Sequence, residues 1–90
     1  MEPVARWSPE KNAELKNRHG FGFERVLVAL TEGRLLDNRT HPNLEQYGHQ
    51  RQLIVEIEGY AWVVPFVQVD DGILLKTMFP SRKATKRYLE

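Results

Sequence analysis

The sequence predicts an α+β fold in a single domain spanning residues 1–90, and three observations support this. Ninety residues are too few for a second domain. The composition, 41% hydrophobic and 28% charged, is that of an ordinary globular chain. Apolar residues recur at helical spacing in the first half and alternate with polar residues in the second. We therefore expect two N-terminal helices packed on one face of an antiparallel sheet of three to four strands, followed by a short basic C-terminal helix.

The first helix is predicted by its start and stop signals. Ser8 is suited to cap a helix, Pro9 to occupy the first helical position, and Glu10 to face the positive end of the helix dipole. The helix should run to about His19 and end at Gly20, since glycine commonly terminates helices.

The second helix is predicted by periodicity. It should begin after residues 21–22 and end at Gly33. Residues 35–36 then suggest a short strand, and residues 37–43 are typical of a turn throughout. Four apolar residues recur at i, i+3, i+4 and i+7 and define the buried face of this helix: Phe23, Val26, Leu27 and Leu30.

Three antiparallel strands are predicted in the second half, over residues 52–58, 60–69 and 73–79. Pro65 lies within the second of these and has no N–H to donate, so we expect an edge strand or a bulge there. Residues 70–72 form a hairpin turn. Ser81 then caps a short terminal helix over residues 82–89.

Charge is distributed unevenly along the chain. The net charge of +1 argues against binding polyanions through overall charge. Residues 76–90, however, contain five basic residues against Glu90, a local charge of +4. A function directed at a polyanion should therefore lie at the C-terminus. The alternative is that this segment is only a solvated, basic chain end.

The chain lacks the residues that several classes of functional site require. The chain has no cysteine and no P-loop, and His19, His41 and His49 do not have the spacing of a metal site. We expect no metal and no small-molecule cofactor. The sequence also shows no signal segment and no run of about 18 apolar residues, so we expect a cytoplasmic protein with no membrane partner.

Two motifs at opposite ends of the chain suggest a family. Near the N-terminus, residues 7–11 read WSPEK and are followed by Arg18-His19-Gly20 and Phe23-Glu24, while residues 81–88 read SRKATKRY. This pattern resembles that of BrnT-type toxins, members of the RelE/ParE superfamily. The resemblance implies a RelE-like fold and a toxin of a type II toxin–antitoxin system. Such a toxin is a ribonuclease that cleaves RNA without a metal, and a cognate antitoxin, commonly with a DNA-binding domain, holds it inactive.

Metal-free cleavage of RNA needs a base, an acid and cations that stabilise the phosphorane. We expect His19 to transfer a proton and Lys11, two turns earlier on the same helix, to lie near it. The cations expected to act with them in catalysis are Arg82 and Lys83. Further residues are expected to bind RNA: Lys76, Lys86, Arg87 and Tyr88.

Two other functions remain open. The chain is alternatively a toxin of the same fold that binds a protein target such as gyrase, because one fold serves unrelated functions. It is alternatively a nucleic-acid-binding module without catalysis. The position of His19 relative to Arg82 discriminates: one shared concave surface favours the nuclease, and opposite faces favour binding only.

Overall fold

The computed structural model describes residues 4–40, 43–47 and 49–90, so His41 lies outside the described residues. The helices are α1 (Pro9–His19), α2 (Phe23–Thr31), the single turn α3 (Leu44–Tyr47) and α4 (Arg82–Leu89). The strands are β1 (Val4–Arg6), β2 (Leu35–Thr40), β3 (Gln50–Ile57), β4 (Tyr60–Val69), β5 (Gly72–Leu75) and β6 (Phe79–Pro80). The predicted α+β class and the predicted limits of α1 and α4 are confirmed.

The described strands form one mixed sheet in the order β1-β5-β4-β3-β2, and β6 pairs with β4 beyond the end of β5. β1 is parallel to β5, whereas the other pairs are antiparallel. The prediction of a purely antiparallel sheet of three to four strands is therefore wrong. β1 has only three residues and shows no periodicity. The first four residues of the predicted turn at 37–43 are instead strand, because they pair with β3.

The sheet is covered on both faces, and not on one as predicted. The face under α1 and α2 contributes alternate residues of β3 and β4 to the main core, and the other face carries α4. Strand alternation produces this division, because neighbouring side chains point to opposite faces. Residues of the α1/α2 face include Leu53, Val55, Ile57, Trp62, Val64 and Phe66. Residues of the α4 face include Ile54, Ala61, Val63 and Ala84.

Pro65 lies in a central strand and not at an edge or bulge as predicted. The carbonyl of Pro65 accepts a hydrogen bond from the backbone N–H of Lys76 at 2.9 Å. In an antiparallel pair, the N–H and C=O of one residue point to the same neighbour. The missing N–H of Pro65 therefore faces the side of β4 where the partner strand is interrupted, between Leu75 and Phe79.

None of the helices among the described residues is long and apolar enough to cross a membrane.

Candidate nucleic-acid interface

Helix α4 is anchored to β4 by hydrogen bonds at its N-terminus. The Ser81 hydroxyl caps the helix by accepting from the backbone N–H of Ala84 at 3.0 Å. The Thr85 hydroxyl accepts from the backbone N–H of Ala61 at 2.9 Å and donates to the Ser81 carbonyl at 2.8 Å. Thr85 and Ala84 are buried. Because the N-terminus of this short helix and its Ala84/Thr85 side are fixed in this way, its four basic side chains are left exposed.

The basic residues of the described chain divide into two groups. Six of them form ion pairs with acids, and seven form none. Arg51 is one of the seven and lies on the α1/α2 face. The other six lie on the α4 face or on α4 itself, and we refer to them as the basic surface: Arg39, Lys76, Arg82, Lys83, Lys86 and Arg87.

The sheet register places Arg39 and Lys76 on the α4 face. Arg39 pairs with Gln52, which in turn pairs with Pro65, and the Lys76 backbone bonds to Pro65. These four residues form one row across the sheet. Ile54, two residues from Gln52, packs under α4, so the row lies on the same face. Two cations therefore come from the sheet and four from the helix beside it.

A small cavity lies between α4 and β2 within the basic surface. It has a volume of about 160 Å³ and is lined by Arg39, Ser81, Lys83, Ala84 and Arg87. Lys83 and Arg87 are four residues apart and so share one side of α4. Arg39 approaches from the sheet, where its Nε donates to the Gln52 side chain at 2.9 Å. The guanidinium forks and the ammonium group suit the oxygens of a phosphate.

Tyr88 connects the end of α4 to the sheet. Its hydroxyl donates to the Asp37 carboxylate at 2.5 Å, and Arg87 lies over its ring at 5.6 Å from the centroid. The Tyr88 hydrogen bond is the largest cause that lowers the pKa of Asp37, followed by the backbone N–H of Asn38. The charges of Arg39 and Arg87 act in the same direction. Asp37 is therefore an anion at neutral pH and a poor proton acceptor.

His19 lies away from the basic surface. Its ring packs edge-on against Trp62, with centroids 5.0 Å apart, on the α1/α2 face of the sheet. Its Nε2 atom is buried and has no hydrogen-bond partner among the described residues. Arg82 begins the helix on the opposite face. The structure therefore does not bring His19 and Arg82 onto one concave surface.

Lys11 lies apart from His19 and from the basic surface. It forms an ion pair with Glu14, with Nζ and Oε1 3.6 Å apart. Eight residues of an α-helix correspond to about 12 Å along its axis, which is the separation of Lys11 and His19. Leu15 lies between them on the same stripe of α1 and is fully buried. Lys11 and His19 thus lie on one stripe of α1 but are too far apart to form a joint site.

The N-terminal motif that resembles the toxin family builds the corner between α1 and α2. Gly20 ends α1 in a left-handed conformation with φ of 85°. Phe23 is fully buried, and its ring lies 5.6 Å from that of Trp7. Glu24 accepts a hydrogen bond from the Asn12 side chain at 2.8 Å. The roles of these residues in the structure are therefore in packing and capping.

Sequence reasoning missed Arg39. The sequence predicts a turn over residues 37–43, where an isolated arginine has no periodic neighbours that would mark it. Residues 37–40 are all polar and so show no apolar alternation, and residues 37–43 are rich in turn formers. Only the pairing of β2 with β3 places Arg39 beside α4.

No family model, no curated protein and no solved structure matches this chain significantly. No group of three or more side chains suited to hold a metal ion occurs in the part of the chain that the structure describes.

Proposed function

We propose that this chain is an RNA-directed toxin of a type II toxin–antitoxin system and that its basic surface binds the RNA backbone. The observation that supports this most strongly is that the cations without an ion-pair partner are gathered on one face. Six cations on one face have no acidic partner within ion-pair distance among the described residues, whereas six others are paired. Unpaired cations gathered on one surface supply the electrostatic attraction that polyanion binding requires. The resemblance to BrnT-type toxins supports RNA as the polyanion and a RelE-like relationship for the fold.

Cleavage of the bound RNA is the activity that the resemblance implies. The cavity lined by Arg39, Lys83 and Arg87 supports it, because preorganised cations stabilise the extra negative charge of a phosphorane. The backbone positions of these three residues are fixed by the sheet and by an anchored helix. Arg82 and Lys86 extend the same surface along α4 and would contact neighbouring phosphates.

A second candidate is a nucleic-acid-binding module without catalysis. The position of His19 favours it, since the imidazole lies on the face opposite Arg82 and its Nε2 is buried. In this alternative the same basic surface binds RNA, but His19 takes no part in proton transfer.

RNA binding is tested by measuring affinity as a function of salt. For single-stranded RNA, each phosphate contact contributes about −0.7 to the slope of log K against log salt. We expect the Lys83→Ala and Arg39→Ala proteins to bind more weakly and each to lose about 0.7 from the slope. Arg18→Ala is the matched control, because this exposed arginine is paired with Glu14 on α1. Equal losses in the control and the test variants would contradict the proposal.

RNA cleavage is tested with the same proteins and an end-labelled RNA. If the cavity stabilises a phosphorane, Lys83→Ala should slow cleavage by about 10²- to 10³-fold, the range found when a single donor to an oxyanion is removed. His19→Ala should leave the rate unchanged. Binding of RNA without cleavage by the parent protein would instead identify the non-catalytic module.

We also propose that a cognate antitoxin covers the chain when it is inactive. Two features support a protein partner. The outer edge of β2 has no neighbouring strand in the described sheet, and an exposed edge accepts an added strand. The basic surface would attract an acidic segment. We expect an acidic partner protein to co-purify with the chain. The complex should weaken in 1 M salt, and the partner should compete with RNA for binding.

A further inference from the structure

Phe79 is exposed on the face of the sheet that carries the basic surface. Its exposed fraction is 42%, which is high for a phenylalanine. In β6 it pairs with Val63, and Val63 belongs to the cluster under α4. The preceding Met78 is buried in the core on the other face. Register and alternation therefore agree that the Phe79 ring lies on the α4 face.

Unpaired cations lie on both sides of Phe79 along the chain. Lys76 precedes it and lies in the next row of the same face, and Arg82 follows it at the start of α4. Both are exposed, and neither forms an ion pair among the described residues. An exposed aromatic ring between free cations matches the arrangement by which proteins hold single strands, with bases on rings and phosphates on cations.

The other large exposed apolar side chains of the described chain are Val28 and Leu35. Both are aliphatic, and neither is part of α4, β5 or β6. Phe79 is thus a single exposed aromatic residue between cations and is not part of an apolar patch. A protein partner would need such a patch to form the buried centre of an interface. This difference favours a nucleobase over a protein side chain as its ligand.

We propose that Phe79 stacks on an unpaired base, and hence that the surface takes single-stranded RNA in preference to duplex. This inference rests on the proposed function, since it assumes that RNA occupies the basic surface. Stacking requires a base that is free of its own neighbours, so a duplex offers only its phosphates. The ring should distinguish single-stranded from duplex RNA but not one base sequence from another, because every base has a π-face.

The test compares three RNAs by fluorescence anisotropy: a single strand, its duplex, and a single strand whose central nucleotides lack bases. Phe79→Ala should weaken binding of the intact single strand by about 5- to 150-fold. Binding of the duplex and of the abasic strand should not change, and the salt slope should stay the same because no phosphate contact is lost. Phe79→Trp should restore or improve the affinity for the intact strand.

Val28→Ala is the matched control, as an exposed apolar residue away from the basic surface, and thermal melting checks that each variant is folded. Unchanged affinity of folded Phe79→Ala for the single strand would overturn the inference and leave the proposed function standing. The inference would also be overturned if Phe79→Ala weakened duplex binding as much as single-strand binding, or if Phe79→Leu bound the intact single strand as tightly as the parent protein. If the parent protein binds no RNA, the proposed function fails and the inference fails with it.

Discussion

At the scale of single residues, hydrogen bonds from polar side chains hold α4 on the sheet. Thr85 uses its hydroxyl both as donor and as acceptor and so joins the helix to Ala61 of the central strand. At the other end, Tyr88 reaches Asp37 of β2. A hydrogen bond to a charged group is stronger than one between neutral groups. The two ends of α4 are thus fixed over the sheet by different chemistry, and only the second depends on pH.

Replacement of Tyr88 by Phe tests that dependence. The lowered pKa of Asp37 means that the folded protein gains stability from the ionised carboxylate. This gain is fully present above the ordinary aspartate pKa of about 4 and is lost as pH falls through the lower pKa of the folded state. We expect parent and Tyr88→Phe proteins to differ in urea midpoint by a constant amount between neutral pH and about pH 5. The difference should shrink below about pH 4.

The control for this measurement is Tyr60→Phe, since the Tyr60 hydroxyl makes no hydrogen bond among the described residues. Its effect on the urea midpoint should not vary over the acid range. A difference between parent and Tyr88→Phe that persists undiminished to pH 2 would show that the hydrogen bond to Asp37 is not the cause.

At the scale of elements, the corner between α1 and α2 depends on a cap supplied from another helix. Gly22 begins α2 without a side chain, and the Asn12 side chain accepts from the backbone N–H of Phe23 at 2.7 Å instead. The Asn12 amide also donates to Glu24, and Lys16 pairs with the same carboxylate at 3.1 Å. The pKa of Glu24 is lowered mainly by a backbone hydrogen bond at the helix start. Buried Asn12 therefore fixes the angle of α2.

Gly22→Ala should destabilise the fold through this cap. A Cβ at Gly22 would lie 2.1 Å from Asn12 Oδ1, so Asn12 would have to move and leave the buried Phe23 N–H unpaired. We expect a loss of about 1 to 3 kcal/mol in the free energy of unfolding, and a similar loss for Asn12→Ala. The double variant should be about as stable as Asn12→Ala alone, because the clash disappears with the amide.

Urea unfolding of the four proteins of this cycle measures the coupling. Asn17→Ala, on the exposed side of α1, is the control and should change stability by no more than about 0.5 kcal/mol. Additive losses in the double variant would refute the shared mechanism.

At the scale of the whole molecule, the sheet separates two kinds of surface. The α1/α2 face buries most of the core, and α1 itself carries cations that are neutralised by nearby acids. The α4 face carries a small apolar cluster and the basic surface. The net charge of +1 does not reveal this division, because six of the acids that enter the total form ion pairs with other cations, at Glu14, Glu24, Glu32, Glu56, Glu58 and Asp71. A near-neutral protein of this size therefore presents a strongly cationic face.

Expression of the chain alone should arrest bacterial growth if the proposed function holds. Simultaneous replacement of Arg39, Lys83 and Arg87 by Ala should relieve the arrest, because three adjacent phosphate contacts would be lost. Colony formation after tightly controlled induction measures this, with soluble protein confirmed by immunoblot. The Lys16→Ala and Arg18→Ala double variant, which removes paired cations, should stay toxic. Normal growth with folded parent protein would contradict the assignment.

The sequence by itself determined the elements whose signals are local. Caps and periodicity correctly predicted α1 and α4 because a helix closes its hydrogen bonds within a few residues. β1 had no such signal, and only residues 35–36 of β2 were predicted as strand, since a short strand is stabilised by partners distant in sequence, here β5 and β3. The cations of α4 were identified from composition, but Arg39 joined them only through the register of β2.

The position of His19 shows the same limit for the site. Its neighbours in sequence suggested proton transfer, and its place at the end of α1 followed from Gly20. Which face of the sheet it occupies depends on how α1 packs against Trp62, a contact across 43 residues of sequence. Local sequence thus determines which side chains a helix or strand carries. Packing alone determined that His19 and α4 lie on opposite faces, because a sheet between them sends alternate residues to different sides.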